Sequence, residues 1–133
     1  MLRVKLSVPY TREELNALQD QVRAEAARAG ITAKLTGSLI YATEEIGSNI
    51  LVHSGATWME VGFEAQAPGG RLTFDDDGEE FDPLEAAELM DEPVISEHVS
   101  GHLGLWTLKR LPFKMDWRRE GTVNHLTITV VQV

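Results

Sequence analysis

The chain has no cysteine among its 133 residues. That excludes disulfides, thiol nucleophiles and thiolate metal sites. No apolar run approaches the roughly 18 to 20 residues needed to cross a bilayer. The opening MLRVKLSVPY lacks a basic segment followed by a long apolar stretch, so no signal peptide is expected. These absences make a cytoplasmic location, away from the membrane, the default expectation. Basic residues are also scarce: 12 Lys+Arg stand against 21 Asp+Glu, for a net charge of −9. Nucleic-acid binding ordinarily needs a basic footprint. The one basic cluster, Lys109, Arg110, Lys114, Arg118 and Arg119, is interleaved with Leu111, Phe113 and Trp117 at strand spacing. It reads as the solvated face of a sheet, and no nucleic-acid partner is expected.

What is present is ordinary globular material, with 43% apolar and 25% charged residues. The length fits a single domain over 1–133 that can bury a core without staples. LRVKLSV alternates as a first strand. Thr11, with Glu14 three residues on, marks the N-terminus of a helix running to about Arg28. Leu15, Leu18, Val22 and Ala26 form its apolar stripe, and Gly30 closes it. A second helix is predicted over 33–53, stopped by Ser54-Gly55. WMEVGFEA and RLTFDD alternate on either side of APGG and predict a hairpin. Residues 82–100 read as an acidic loop with a short helical piece near 84–90, followed by a helix at about 103–111 that Pro112 halts. FKMDWRRE and VNHLTITVV form a last hairpin around Gly121. Two consecutive hairpins require an antiparallel or mixed sheet. With the helices on one face of it, the expected fold is α/β of the α+β kind, a two-layer sandwich.

Three segments carry chemistry. On the second helix, Leu35, Leu39, Ile46 and Ile50 share one direction at roughly 100° per residue, and Glu45 and Asn49 lie about 70 to 110° from that stripe. The pair reads as a polar couple on a half-exposed helix edge. It also reads as the working pair of a phosphoryl-transfer site, with the Asn49 amide oxygen as a hard magnesium ligand and Glu45 as the base. His53, one turn on, reads as a capping or packing residue. In LTFDDDGEEFDP a strand ends at an Asp triplet and Gly78. Such a turn is either an acidic surface loop or a fixed carboxylate able to accept the exocyclic amine of adenine and to repel the guanine carbonyl. In SGHLGLWTLKR the glycines let backbone amides approach phosphate at a helix start. Taken together, the three segments read as a nucleotide site. In so acidic a chain, a polyanionic nucleotide calls for a divalent cation, and magnesium is the expected companion.

In this order the segments resemble the N box and the two glycine boxes of the GHKL ATPase superfamily. Over nearly the whole chain the sequence resembles the RsbW-like serine-protein kinases that act as anti-sigma factors. The resemblance spans the E-x-x-x-N-x-x-x-H pattern at Glu45, Asn49 and His53, the DDGEEFDPLEA segment, and LGLWTLKRL with DWRREGTVNHLTI. It implies a Bergerat ATP-binding fold, with Glu45 as the catalytic base and Asn49 as the ligand of Mg2+. Asp76 and Gly78 would meet the adenine end of ATP, and Gly101, His102, Gly104 and Leu105 the phosphates. Residues 82–100 would form the ATP lid. It further implies a homodimeric serine/threonine-protein kinase whose partners are a STAS-type anti-anti-sigma protein and a sigma factor. Two positions depart from the pattern: Glu80 stands at the second glycine of the D-x-G-x-G turn, and His102 stands where a glycine precedes Leu103. They favour the alternative of a non-catalytic, nucleotide-binding partner-switching module.

Overall fold

The computed structural model describes residues 1–66, 69–88 and 111–131. Strand β1 (Leu2–Ser7) is followed by helices α1 (Arg12–Arg28) and α2 (Ala33–Ser48), then by a π-helical turn over Asn49–His53. Strands β2 (Trp58–Ala65) and β3 (Gly69–Asp76) precede the short helix α3 (Pro83–Glu88), and β4 (Lys114–Glu120) with β5 (Val123–Val131) completes the order. The helix expected at 103–111 lies, apart from its last residue, outside the described residues.

Helix α1 starts where its sequence dictates. The Thr11 side chain accepts from Glu14 N at 3.1 Å while the Glu14 carboxylate accepts from Thr11 N at 3.1 Å, a reciprocal cap that satisfies two otherwise orphaned amides. Thr32 caps α2 in the same sense by accepting from Leu35 N. The expected single helix over 33–53 instead changes to a π turn at Asn49. Such wider turns are rare and concentrate at functional sites. A periodicity reading at 100° per residue does not resolve a register change within one turn, which is why the sequence suggested an unbroken α-helix.

The five strands form one sheet in the order β1-β2-β3-β5-β4, and every neighbouring pair is antiparallel. Pairing fixes which side chains share a face. One inward row is Leu2, Phe63, Leu72, Ile128 and Met115, and the next is Val4, Val61, Phe74, Leu126 and Trp117. The third is Leu6, Met59, Asp76, Asn124 and Arg119. The first two rows join Leu15, Leu18, Val22 and Ala26 of α1 and Leu39, Ala42 and Ile46 of α2 in a single core. Each fully buried aliphatic or aromatic side chain there contributes about 1.5–3 kcal/mol by leaving water. The reverse face of the sheet is polar. Arg3 pairs with Glu60 at 2.6 Å, Asp75 with His125 at 2.6 Å, and the Lys5 ammonium lies 4.8 Å from the Trp58 ring centre. The result is the two-layer α+β sandwich, helices on one side.

Candidate functional site

The third inward row is where the apolar core gives way to a cavity of about 430 Å³. Helix α2 and its π turn supply one wall through Ile46, Asn49, Ile50 and His53, and Ser54 follows. The sheet supplies the floor through Asp76, Trp117, Asn124 and Leu126, and the segment after β3 contributes Glu79, Glu80, Phe81 and Pro83. Asn49 and Asp76, 27 positions apart in sequence, thus face one space from two layers of the sandwich.

Asp76 ends β3 and is only 5% exposed. Its Oδ1 accepts from Gly78 N at 2.8 Å and from Asn124 Nδ2 at 3.1 Å. Among the described residues both hydrogen bonds fall on the same oxygen, which leaves Oδ2 available as an acceptor in a residue that lines the cavity. Burial pushes the Asp76 carboxyl above its ordinary value, against the donors from Asn124 and Gly78 that favour the charged form. Gly78 is needed by close approach: a Cβ there would fall 2.3 Å from Ser54 Oγ and 2.7 Å from Ser54 Cβ. Ser54 in turn donates to Ile50 O at 2.5 Å and accepts, through its carbonyl, from Glu79 N at 2.9 Å. The end of the π turn and the glycine turn are therefore tied directly together. Asp77 points the other way and braces the turn, accepting from Thr57 N at 2.7 Å and Trp58 N at 3.1 Å. Desolvation acts to raise the Asp77 carboxyl, but these bonds and the Thr57 hydroxyl outweigh it and hold it below its ordinary value.

Glu45 sits one turn before Asn49, half-buried, and does not line the cavity. Burial raises its carboxyl above the ordinary value, and the neighbouring Glu44 charge adds to the effect. Glu44 is the contrasting carboxylate. Hydrogen bonds from Arg12 hold it below the ordinary value, and Ser48 Oγ also donates to it at 2.9 Å. His53 is exposed, lines the cavity and stands in the last turn of the helical segment, which agrees with the capping half of its expected capping-or-packing role and not with packing. Gly101, His102, Gly104 and Leu105 lie outside the described residues, as do positions 89–100 of the expected lid.

A carboxylate at a strand end and a carboxamide at a helix-end turn thus line one partly apolar cavity. A family model for the histidine kinase-like ATPase domain matches residues 8–130. The chain belongs to the histidine kinase-like ATPase family. A search of curated proteins returns no match to the chain. Membership in this family implies ATP, ordinarily with magnesium, and the residues of the histidine kinase-like ATPase cavity fit both. Ile46, Ile50, Leu126 and Trp117 offer the apolar walls a purine needs, and Asp76 Oδ2 offers an acceptor. Among the described residues no three His, Asp or Glu side chains form a metal cage. Asn49, whose amide oxygen is a hard donor lining the cavity, would be the protein ligand of a magnesium ion that otherwise keeps the nucleotide's phosphates and several waters. No helix among the described residues is long and apolar enough to cross a membrane.

Asn124, Leu126 and Arg119 are among the contributors that the sequence did not single out. Asn124 and Leu126 share the strand parity of the buried Ile128 and Val130, which places them on the inward face. Arg119 shares the parity of Trp117 and Met115 rather than that of Lys114 and Arg118. The basic cluster that reads as one solvated face is thus split: Lys114 and Arg118 are exposed, while Arg119 turns inward and donates to Asn124 Oδ1 at 3.0 Å and Gly78 O at 3.1 Å.

Proposed function

We propose that the protein is an ATP- and magnesium-dependent regulatory serine/threonine-protein kinase of the RsbW-like, anti-sigma-factor type. It would phosphorylate a hydroxyl on a STAS-type antagonist and bind a regulatory partner such as a sigma factor, as a homodimer. The observation that carries the reading is the single cavity shared by Asn49 and Asp76. In this reading the ion supplies charge neutralisation on the phosphates. Asp76 selects the base through its free oxygen, Asn49 holds the ion's protein-facing side, and Glu45 removes the proton from the attacking hydroxyl. The raised proton affinity of Glu45 suits a base, because a more basic carboxylate takes that proton more readily. Transfer of label from ATP to a STAS partner tests it. Wild type should transfer and Glu45→Ala should lose at least about 100-fold in rate, the usual range for a positioned general base. Transfer that survives Glu45→Ala removes the kinase reading.

A second reading, a non-catalytic module that binds nucleotide and exchanges partners, is favoured by two observations. Glu80, standing where the family pattern has glycine, lines the cavity with a carboxylate, and Glu45 does not line it. Tight ATP–magnesium binding with no transfer to any STAS protein would decide for this module.

A further inference from the structure

We infer that Arg119 is a specificity-determining positioning residue: acting through the Asn124 carboxamide, it holds Asp76 as an acceptor-only edge and so sets the preference for adenine over guanine nucleotides. The inference rests on reading Asp76 as the base-binding carboxylate. Asn124 is 5% exposed, and its amide is surrounded unequally. Its Nδ2 faces three oxygens of the β3 turn: Glu79 O at 2.8 Å, Asp76 Oδ1 at 3.1 Å and Gly78 O at 3.4 Å. Its Oδ1 faces the Arg119 guanidinium at 3.0 Å. Turned over, the amide would set its oxygen against three acceptors and its NH2 against a cation, so the network permits one orientation.

That orientation matters because it fills Asp76 Oδ1 with a donor and leaves Oδ2 able only to accept. An adenine amine then meets an acceptor, while a guanine carbonyl meets a negative oxygen. Without Arg119, the buried Asn124 Oδ1 has lost its donor, and the amide is held only through the oxygens around Nδ2. Asp76 is then held firmly only by Gly78 N, so it can shift, or take a proton and offer an O–H to a carbonyl. Discrimination falls. The adjacent Arg118 cannot substitute, since it lies on the outward face and pairs with Glu120.

The test is calorimetric binding of ADP and of GDP, each with magnesium, to the full chain and its variants, with thermal unfolding recorded for each. Wild type should favour ADP. Arg119→Leu should lower the ADP:GDP affinity ratio by about tenfold, the effect of one charge-assisted hydrogen bond in a buried site. Arg119→Lys, which keeps a donor, should recover part of it. Asn124→Ala should lower the ratio as far as Arg119→Leu does, and the double variant should fall no further. A folded Arg119→Leu chain with the wild-type ratio overturns the inference, as do additive losses in the double variant. Should Arg119→Leu fail to fold, an unchanged ratio in Asn124→Ala overturns it equally. A wild type that binds both nucleotides equally, or neither, instead removes the reading of Asp76 as the base-binding carboxylate.

Discussion

At one end of the inward sheet face the strands present Leu2, Phe63, Leu72, Ile128 and Met115; two rungs away the same strands present Leu6, Met59, Asp76, Asn124 and Arg119. The pleat and register are continuous, so backbone geometry does not separate the two ends. Their chemistry does. The first row is covered by the helices and joins the core, with Phe63 at 1% exposure and Leu72 and Ile128 at 0%. The other end puts a carboxylate and a carboxamide at 5% exposure each. Burying such groups opposes folding unless every polar atom finds a partner. Here the partners are supplied by Gly78 N, Arg119 and the carbonyls of Gly78 and Glu79, all brought in by the turn and the last hairpin. The apolar row therefore lies wholly in the core, whereas the other keeps Leu6 and Met59 in the core and, from Asp76 onward, is held by a local hydrogen-bond network that lines the cavity.

The sharpest way to break this comparison is to truncate one side chain at each end and measure both stability and binding. Phe63→Ala should cost about 3–5 kcal/mol in denaturant unfolding, because the removed ring leaves a cavity that packed neighbours fill only in part. Its folded fraction should bind ADP with nearly the wild-type affinity. Asp76→Asn should do the reverse. The amide oxygen can still accept from Gly78 N and Asn124 Nδ2, so the turn persists. The cavity edge, however, now presents N–H donors to the adenine amine. Affinity for ADP should fall about 100-fold, equivalent to about 2.7 kcal/mol, while stability is kept or improved. If Phe63→Ala weakens binding as much as Asp76→Asn does, the two ends are not separable.

This division also explains what the sequence made legible. The cap at Thr11, the two hairpins and the inward stripes rest on local chemistry or periodicity, and each can be read without knowing the partner strand; the Thr32 cap of α2 emerged only from the structure. The meeting of Asn49 with Asp76 at one cavity was implied by the order of the three segments and their family resemblance, since a helix-edge position and a strand-end position do not by themselves say that they meet. Arg119 was hidden because a basic cluster reads by charge, whereas its role is set by parity: two residues after Trp117, it must face inward. Asn124 was hidden for a related reason, since its alternation with Leu126 and Ile128 makes it resemble any core-facing strand position. What alternation cannot reveal is which polar side chains share a row across strands, and that requires the register. The π turn at Asn49–His53 lay beyond a fixed helical angle altogether.

The finest test of the comparison is the dependence of stability on pH, without any nucleotide. Burial raises the proton affinity of folded Asp76 above that of the unfolded chain, despite its two donors. A raised folded value means that the stabilising contribution of this group is complete below the ordinary aspartate range. It is lost as pH climbs through the raised value, because the buried group must then carry its charge. Asp76→Asn does not titrate and has no such slope. The variant should therefore gain on wild type as pH rises from the ordinary aspartate range through the raised value, and the difference should level off above it. Urea unfolding of both chains across this window measures the effect directly. A flat difference would mean that the donors from Asn124 and Gly78 fully offset desolvation, and the polar end would then be as well matched to folding as the apolar end. A difference that runs the other way would make Asp76 a net stabiliser in its charged form and reverse the assignment of roles to the two ends of the sheet.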